Sequence, residues 1–266
     1  MKGIVFAGCS FTWGEGLELY SDLPTLNLET IKRYGYHFPD SGYYMPKSHL
    51  KFIESNRFSR LVSHHFGTFD IVSEKNGGNH KTMLNHIKKS LLDYKDDIGL
   101  IIVQLTEYLR GIKFKGYDKD LIRMVESYYD VKSGNSDNHL KYYHDIVENH
   151  IEGEPMDYVK QLGKDKLNKF IDDLEDINKD TDIPIKFLGS WVQPDLPIEN
   201  NFYDENLITL NYKNKEYKTI SDLLSEHNYL IISNELEWSN NWHPNLKFQK
   251  IISDSIIDYI EKNNVF

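Results

Sequence analysis

Ser10 and His243 stand near opposite ends of a 266-residue chain, each in a setting that suits acid–base chemistry. Ser10 lies in Gly8-Cys9-Ser10-Phe11-Thr12-Trp13-Gly14-Glu15-Gly16, directly after the apolar run Lys2–Ala7 (KGIVFA). In an open α/β sheet, ligands bind beyond the carboxyl ends of the strands, and a serine on a glycine-flanked strand-to-helix turn is exposed there. The stretch lacks both the GxGxxG of a dinucleotide loop and the Lys-Ser/Thr of a Walker loop. His243 lies in Asn240-Asn241-Trp242-His243-Pro244-Asn245-Leu246, ahead of a segment of helical period. Pro244 suits the start of that helix, which holds His243 just before its N-terminus on a defined loop. A serine becomes a nucleophile when a base lies within hydrogen-bond reach, and these two loops make Ser10 and His243 candidates for that pair.

The elements that must bring them together can be read from periodicity. Lys2–Ala7, Phe69–Ser73, Leu100–Leu105, Ile185–Leu188 and Tyr229–Ser233 are short β-branched runs without strict alternation, as expected of strands buried on both faces of a parallel sheet. Helical periods occupy roughly 56–66, 80–95, 163–179, 219–227 and 246–262. This alternation predicts a three-layer α/β/α fold around a mostly parallel, five-stranded sheet. Residues 20–55, rich in Tyr, Pro and Gly, and residues 107–160, with two helices around Ser133-Gly134-Asn135-Ser136, interrupt it. Both read as insertions at the sheet's edge, too short or too polar for a core of their own, so residues 1–266 are expected to form one domain.

Gly8-Cys9-Ser10-Phe11-Thr12-Trp13-Gly14 resembles the first block of the SGNH (GDSL-like) hydrolases, Gly-Asp-Ser-x-Thr-x-Gly, and His243-Pro244-Asn245 resembles the last. Asn56–Gly67 is similar to that family's first amphipathic helix, Asn76-Gly77-Gly78-Asn79 to the segment holding its oxyanion-hole glycine, and Lys186–Trp191 to its fourth strand. The first and last blocks are the specific ones. The resemblance implies a flavodoxin-like fold and a cofactor-free Ser-His mechanism. Ser10 attacks an ester carbonyl, His243 takes its proton, and the amides of Ser10 and of Gly77 or Gly78 bind the oxyanion.

Three positions depart from the family pattern. Its third block, Gly-x-Asn, reads Thr106-Glu107-Tyr108, so that Thr106 either substitutes its hydroxyl for the asparagine donor or merely ends a strand; Arg110 is close enough in sequence to approach the site. Asn240 and Asn241 stand where the triad acid is expected. An asparagine can orient an imidazole but cannot offset its positive charge. Glu235 and Glu237 lie too far back on a simple loop. Cys9 replaces the usual aspartate and reads as packing, not as a nucleophile.

Composition bounds the partners. Charged residues make up 27% and hydrophobic residues 39% of the chain, as in a globular protein, and the net charge of −10 repels nucleic acid. One Cys allows no internal disulfide, and His64, His65, His80, His139 and His144 are scattered without a metal-like constellation, each reading as a surface histidine. Phe6-Ala7-Gly8-Cys9 mimics a lipoprotein box, but the apolar stretch before it is too short for a signal segment and long enough for a strand. A cytoplasmic protein without membrane partner is expected. Tyr34, Tyr36, His37, Tyr43 and Tyr44 crowd the first insertion and suit stacking on sugar rings or acyl groups. The expectation is therefore a serine esterase for a small-molecule or glycan ester, with a catalytically silent binding or assembly protein of the same fold as the alternative.

Overall fold

The computed structural model describes residues 2–21, 47–73, 78–114, 116–117, 119–134, 137–191, 197–236 and 242–265. At its centre is a five-stranded, all-parallel sheet in the order β2-β1-β3-β4-β5, built from β1 (Gly3–Ala7), β2 (Asp70–Val72), β3 (Ile98–Gln104), β4 (Ile185–Leu188) and β5 (Leu207–Ile208). β1 pairs with β2 through Ile4↔Asp70 to Phe6↔Val72 and with β3 through Ile4↔Leu100 to Ala7↔Val103. It is thus the inner strand from which the chain emerges toward Ser10. Its five residues are all buried, as a strand covered on both faces requires.

Helices α3 (Phe58–His65) and α11 (Leu246–Asn263) pack together on the sheet, and α4 (His80–Tyr94) packs with α7 (Pro155–Thr181), completing a three-layer α/β/α arrangement. The core runs through Ile4, Phe6, Ile101, Val103, Phe187, Phe58, Ile87, Leu167 and Ile252, each fully buried. Burying a side chain of this size contributes roughly 1.5–3 kcal/mol. At the edge strand, the fully buried Asp70 carboxylate meets Arg57 at 2.9 Å, Arg60 at 2.8 Å and the Ser59 hydroxyl at 3.1 Å. Among the described residues no helix is long and apolar enough to cross a membrane.

Two expectations change. Tyr229–Ser233 is not a strand: Asn228–Leu230 is a 3-10 turn, Ile231 forms an isolated bridge with Pro244, and α10 (Ile232–Glu235) follows. The fifth position of the sheet belongs to Leu207–Ile208, paired with Phe187 and Leu188. A short apolar run can bury residues in either form, here Leu230 and Ile232, so its pattern alone could not tell a strand from a prop beneath a loop. Residues 107–160 do gather apolar side chains of their own. α5 (Leu121–Lys132) and α6 (Asn138–His150) enclose Leu121, Met124, Val125, Ile146 and Val147, closed by Val159 of α7. The cluster remains tied to the main core through Tyr108, which packs against both.

Candidate active site

The chain leaves β1 at Ala7 and begins α1 (Ser10–Trp13) three residues later, with Cys9 as N-cap. A Cβ on Gly8 would stand 1.9 Å from Thr12 Oγ1, so glycine is what lets this short helix fold back on the strand end. Gln104, the last residue of β3, ties the turn down: its Oε1 accepts from the Cys9 thiol and the Thr12 hydroxyl, both at 3.2 Å. Gly78 backs onto the same turn; a Cβ there would meet the Gly8 carbonyl oxygen at 2.3 Å. Asn79 then caps α4, accepting from Thr82 N at 3.0 Å while Thr82 Oγ1 accepts from Asn79 N at 2.8 Å.

His243 arrives from the far end of the chain. Its carbonyl accepts from Ile232 N at 2.9 Å, and Asn245 N donates to Leu230 O at 2.9 Å. The run expected to be a strand thus supports the His243 loop instead. The helix after the loop starts at Leu246, capped by Asn245, whose Oδ1 accepts from Phe248 N at 3.0 Å; Pro244, expected at the first helical position, lies two places before it. Phe11, stacked on Trp191 at 4.4 Å, meets the His243 ring edge-on at 5.2 Å.

These contacts bring His243 Nε2 to 2.7 Å from Ser10 Oγ across 233 positions of sequence. Burial, and secondarily the Arg110 guanidinium, push the imidazole down to about 4, so it is neutral at pH 7. Glu15 Oε2 lies 3.5 Å from the same nitrogen and acts in the opposite sense, favouring the cation. A serine hydroxyl hydrogen-bonded to a neutral imidazole is a nucleophile with its base in place.

The other candidates divide. Gly78 touches the Ser10 turn, whereas Gly77, Asn240, Asn241 and Glu237 lie outside the described residues, as do Tyr34, Tyr36, His37, Tyr43 and Tyr44. Arg110 sits on the turn after β3, next to Gly111, whose Cβ would come within 2.4 Å of Asn79 Nδ2. Its charge is felt by both His243 and Cys9. Thr106 is fully buried beside Cys9. Burial pushes the Cys9 thiol up and keeps it protonated, in keeping with a packing role. Glu235 accepts from Asn245 Nδ2 at 2.8 Å and from the Tyr20 hydroxyl, which binds it to the cap of α11.

His80 is not a surface residue: it is buried, stacked on Phe170 at 4.8 Å, and held down to about 4 by burial. Among the described residues no group of His, Cys, Asp and Glu is arranged to hold a metal ion. Gln104 and Glu15 were missed as site residues, although Gly14-Glu15-Gly16 carried a signal in its two glycines. Beside the Gly8–Gly78 seam, a groove of about 590 Å³ is lined by Ile71, Ser73, Asn85, Lys89 and Tyr94. No family model matches the chain, and no curated protein or solved structure is significantly similar to it.

Proposed function

We propose that the chain is a serine ester hydrolase of the SGNH (GDSL-like) kind, which removes a small O-acyl group, with a carbohydrate O-acetyl ester as the leading substrate. The single observation that carries this reading is the 2.7 Å contact between Ser10 Oγ and His243 Nε2 at the carboxyl end of β1. In this mechanism Ser10 Oγ attacks the ester carbonyl carbon as His243 Nε2 takes its proton. The tetrahedral intermediate expels the alcohol, which His243 protonates, and water then resolves the acyl-enzyme by the same route. The backbone amides of Ser10 and of Gly77 or Gly78 are the oxyanion donors, with Thr106 and Arg110 as further candidates. Each such donor contributes about 3 kcal/mol in the transition state because it is already aimed at the developing charge.

The experiment is labelling by a fluorophosphonate probe together with turnover of p-nitrophenyl acetate, using Ser10→Ala as the control. Label confined to Ser10 and turnover lost in the variant support the hydrolase. An intact fold that takes no label and turns over no ester points instead to a silent protein used for binding or assembly.

A further inference from the structure

We propose that Glu15 is the charge partner of the His243 imidazolium, a positioning residue that reaches the ring from the nitrogen facing the nucleophile; this rests on the Ser10–His243 reading above. Glu15 Oε2 is 3.5 Å from His243 Nε2, the nitrogen that meets Ser10 Oγ at 2.7 Å. The side chains of His243 and Glu15 are 19% and 10% exposed, so water and salt screen the pair weakly.

The backbone holds the carboxylate in place. Glu15 N donates to the Ser10 carbonyl at 3.0 Å, as Gly14 N does at 2.9 Å, so the position of Glu15 is tied to the nucleophile itself. Gly14 and Gly16 flank it with φ of 89° and 91°, a left-handed conformation that glycine adopts without steric cost. The two glycines reverse the chain within one turn and return the carboxylate to the imidazole edge that Ser10 occupies.

In acylation, the bond between Ser10 Oγ and the carbonyl carbon forms, the hydroxyl proton moves to His243 Nε2, and the carbonyl π pair becomes the oxyanion. The new Nε2–H then faces two acceptors, the Glu15 carboxylate and the ester oxygen of the leaving group. When the intermediate collapses, the carbon–oxygen bond breaks and the proton passes to that oxygen. Glu15 gains and loses no proton; its charge lowers the energy of the imidazolium in between. A carboxylate on the Nε2 side offsets the charge of the ring, while the Phe11 edge and the backbone bonds of residues 230–232 with 243–245 help to hold its orientation.

Among the described residues, the other titratable groups around the imidazole have other roles. Cys9 stays protonated through burial, Arg110 opposes the imidazolium, and Glu235 is engaged by Asn245 and Tyr20. Among the described residues, Glu15 supplies the carboxylate that offsets Arg110.

The test compares wild type, Glu15→Gln and Glu15→Asp as full chains, checked for folding by thermal melting. The readouts are the pH dependence of Ser10 labelling by a fluorophosphonate and an NMR titration of the His243 Cε1–H resonance. Glu15→Gln is expected to slow labelling at pH 7 at least ~10-fold. It should also move the acid limb and the NMR midpoint to lower pH, since the cation has lost its partner, and Glu15→Asp should recover part of each effect. Unchanged midpoints in Glu15→Gln overturn the proposal. Equal losses in both variants without a pH shift also overturn it, because they mark a packing role. If wild-type Ser10 takes no label, the hydrolase reading fails, while the NMR titration still decides whether Glu15 and His243 are coupled.

Discussion

Replacing Gly78 with alanine sets a methyl group against the Gly8 carbonyl oxygen at 2.3 Å. Both partners are backbone, so no rotamer change relieves the contact, and the two segments must separate by about 1 Å to reach an ordinary van der Waals distance. Overpacking of this kind costs about 1–3 kcal/mol. The alanine also narrows the unfolded ensemble, which returns about 0.4–1 kcal/mol. The net loss is then about 1–2 kcal/mol, or a Tm lower by roughly 2–8 °C for a chain of this size. Activity should suffer more than stability. The seam joins the turn of the proposed nucleophile to the segment proposed to bind the oxyanion, and a misplacement of about 1 Å at a reacting centre costs about 100-fold in rate. The assay is the fluorophosphonate labelling rate of Ser10, measured well below the lowered Tm, beside a thermal melt. A lower Tm with an unchanged labelling rate would refute the link between this seam and the chemistry; no change in either would refute the packing argument itself.

Because burial and Arg110 hold His243 down to about 4, Ser10 labelling should stay flat as pH falls through 6.5 and decline only toward about 4; a midpoint near 6.5 would mean the imidazole is solvated as an ordinary histidine is. His80, also held at about 4, should make the fold less stable as pH drops from about 6.5 to about 4, since the unfolded chain takes up the proton first. The effect is on the order of 3 kcal/mol at most, and His80→Phe should flatten the corresponding part of a plot of Tm against pH. Asp70→Asn removes the buried carboxylate that faces Arg57, itself largely buried, and the half-exposed Arg60; the charge stranded on Arg57 should cost up to about 3 kcal/mol in urea denaturation, and a loss below about 1 kcal/mol would show that water reaches the cluster.

The layer architecture was legible from the chain because strands buried on both faces leave uninterrupted β-branched runs and the helices between them leave a 3.6-residue period. Four of the five expected strands and all five expected helical segments are present. β5 was missed because two residues, Leu207 and Ile208, are too few to make a periodic signal, and Tyr229–Ser233 was misread because a short apolar run does not by itself specify conformation. Ser10 and His243 could be singled out because their loops carry local signatures, glycines around the one and proline after the other. Their 2.7 Å approach across 233 positions could not be read locally, since it depends on the sheet order and on the bridge that props the His243 loop.

Sequence by itself determined which residues have reactive side chains and which turns carry them, because those properties depend on near neighbours along the chain; packing decided that Ser10, expected to be exposed on its turn, is buried there. Charge was decided only by the tertiary structure. Whether an imidazole is neutral, a thiol inert or a carboxylate near a base depends on burial and on groups distant in sequence. Thus His80, grouped by sequence with the surface histidines, is buried against Phe170, and Gly14-Glu15-Gly16, which looked like the tail of a nucleophile motif, turns a carboxylate back toward the His243 ring.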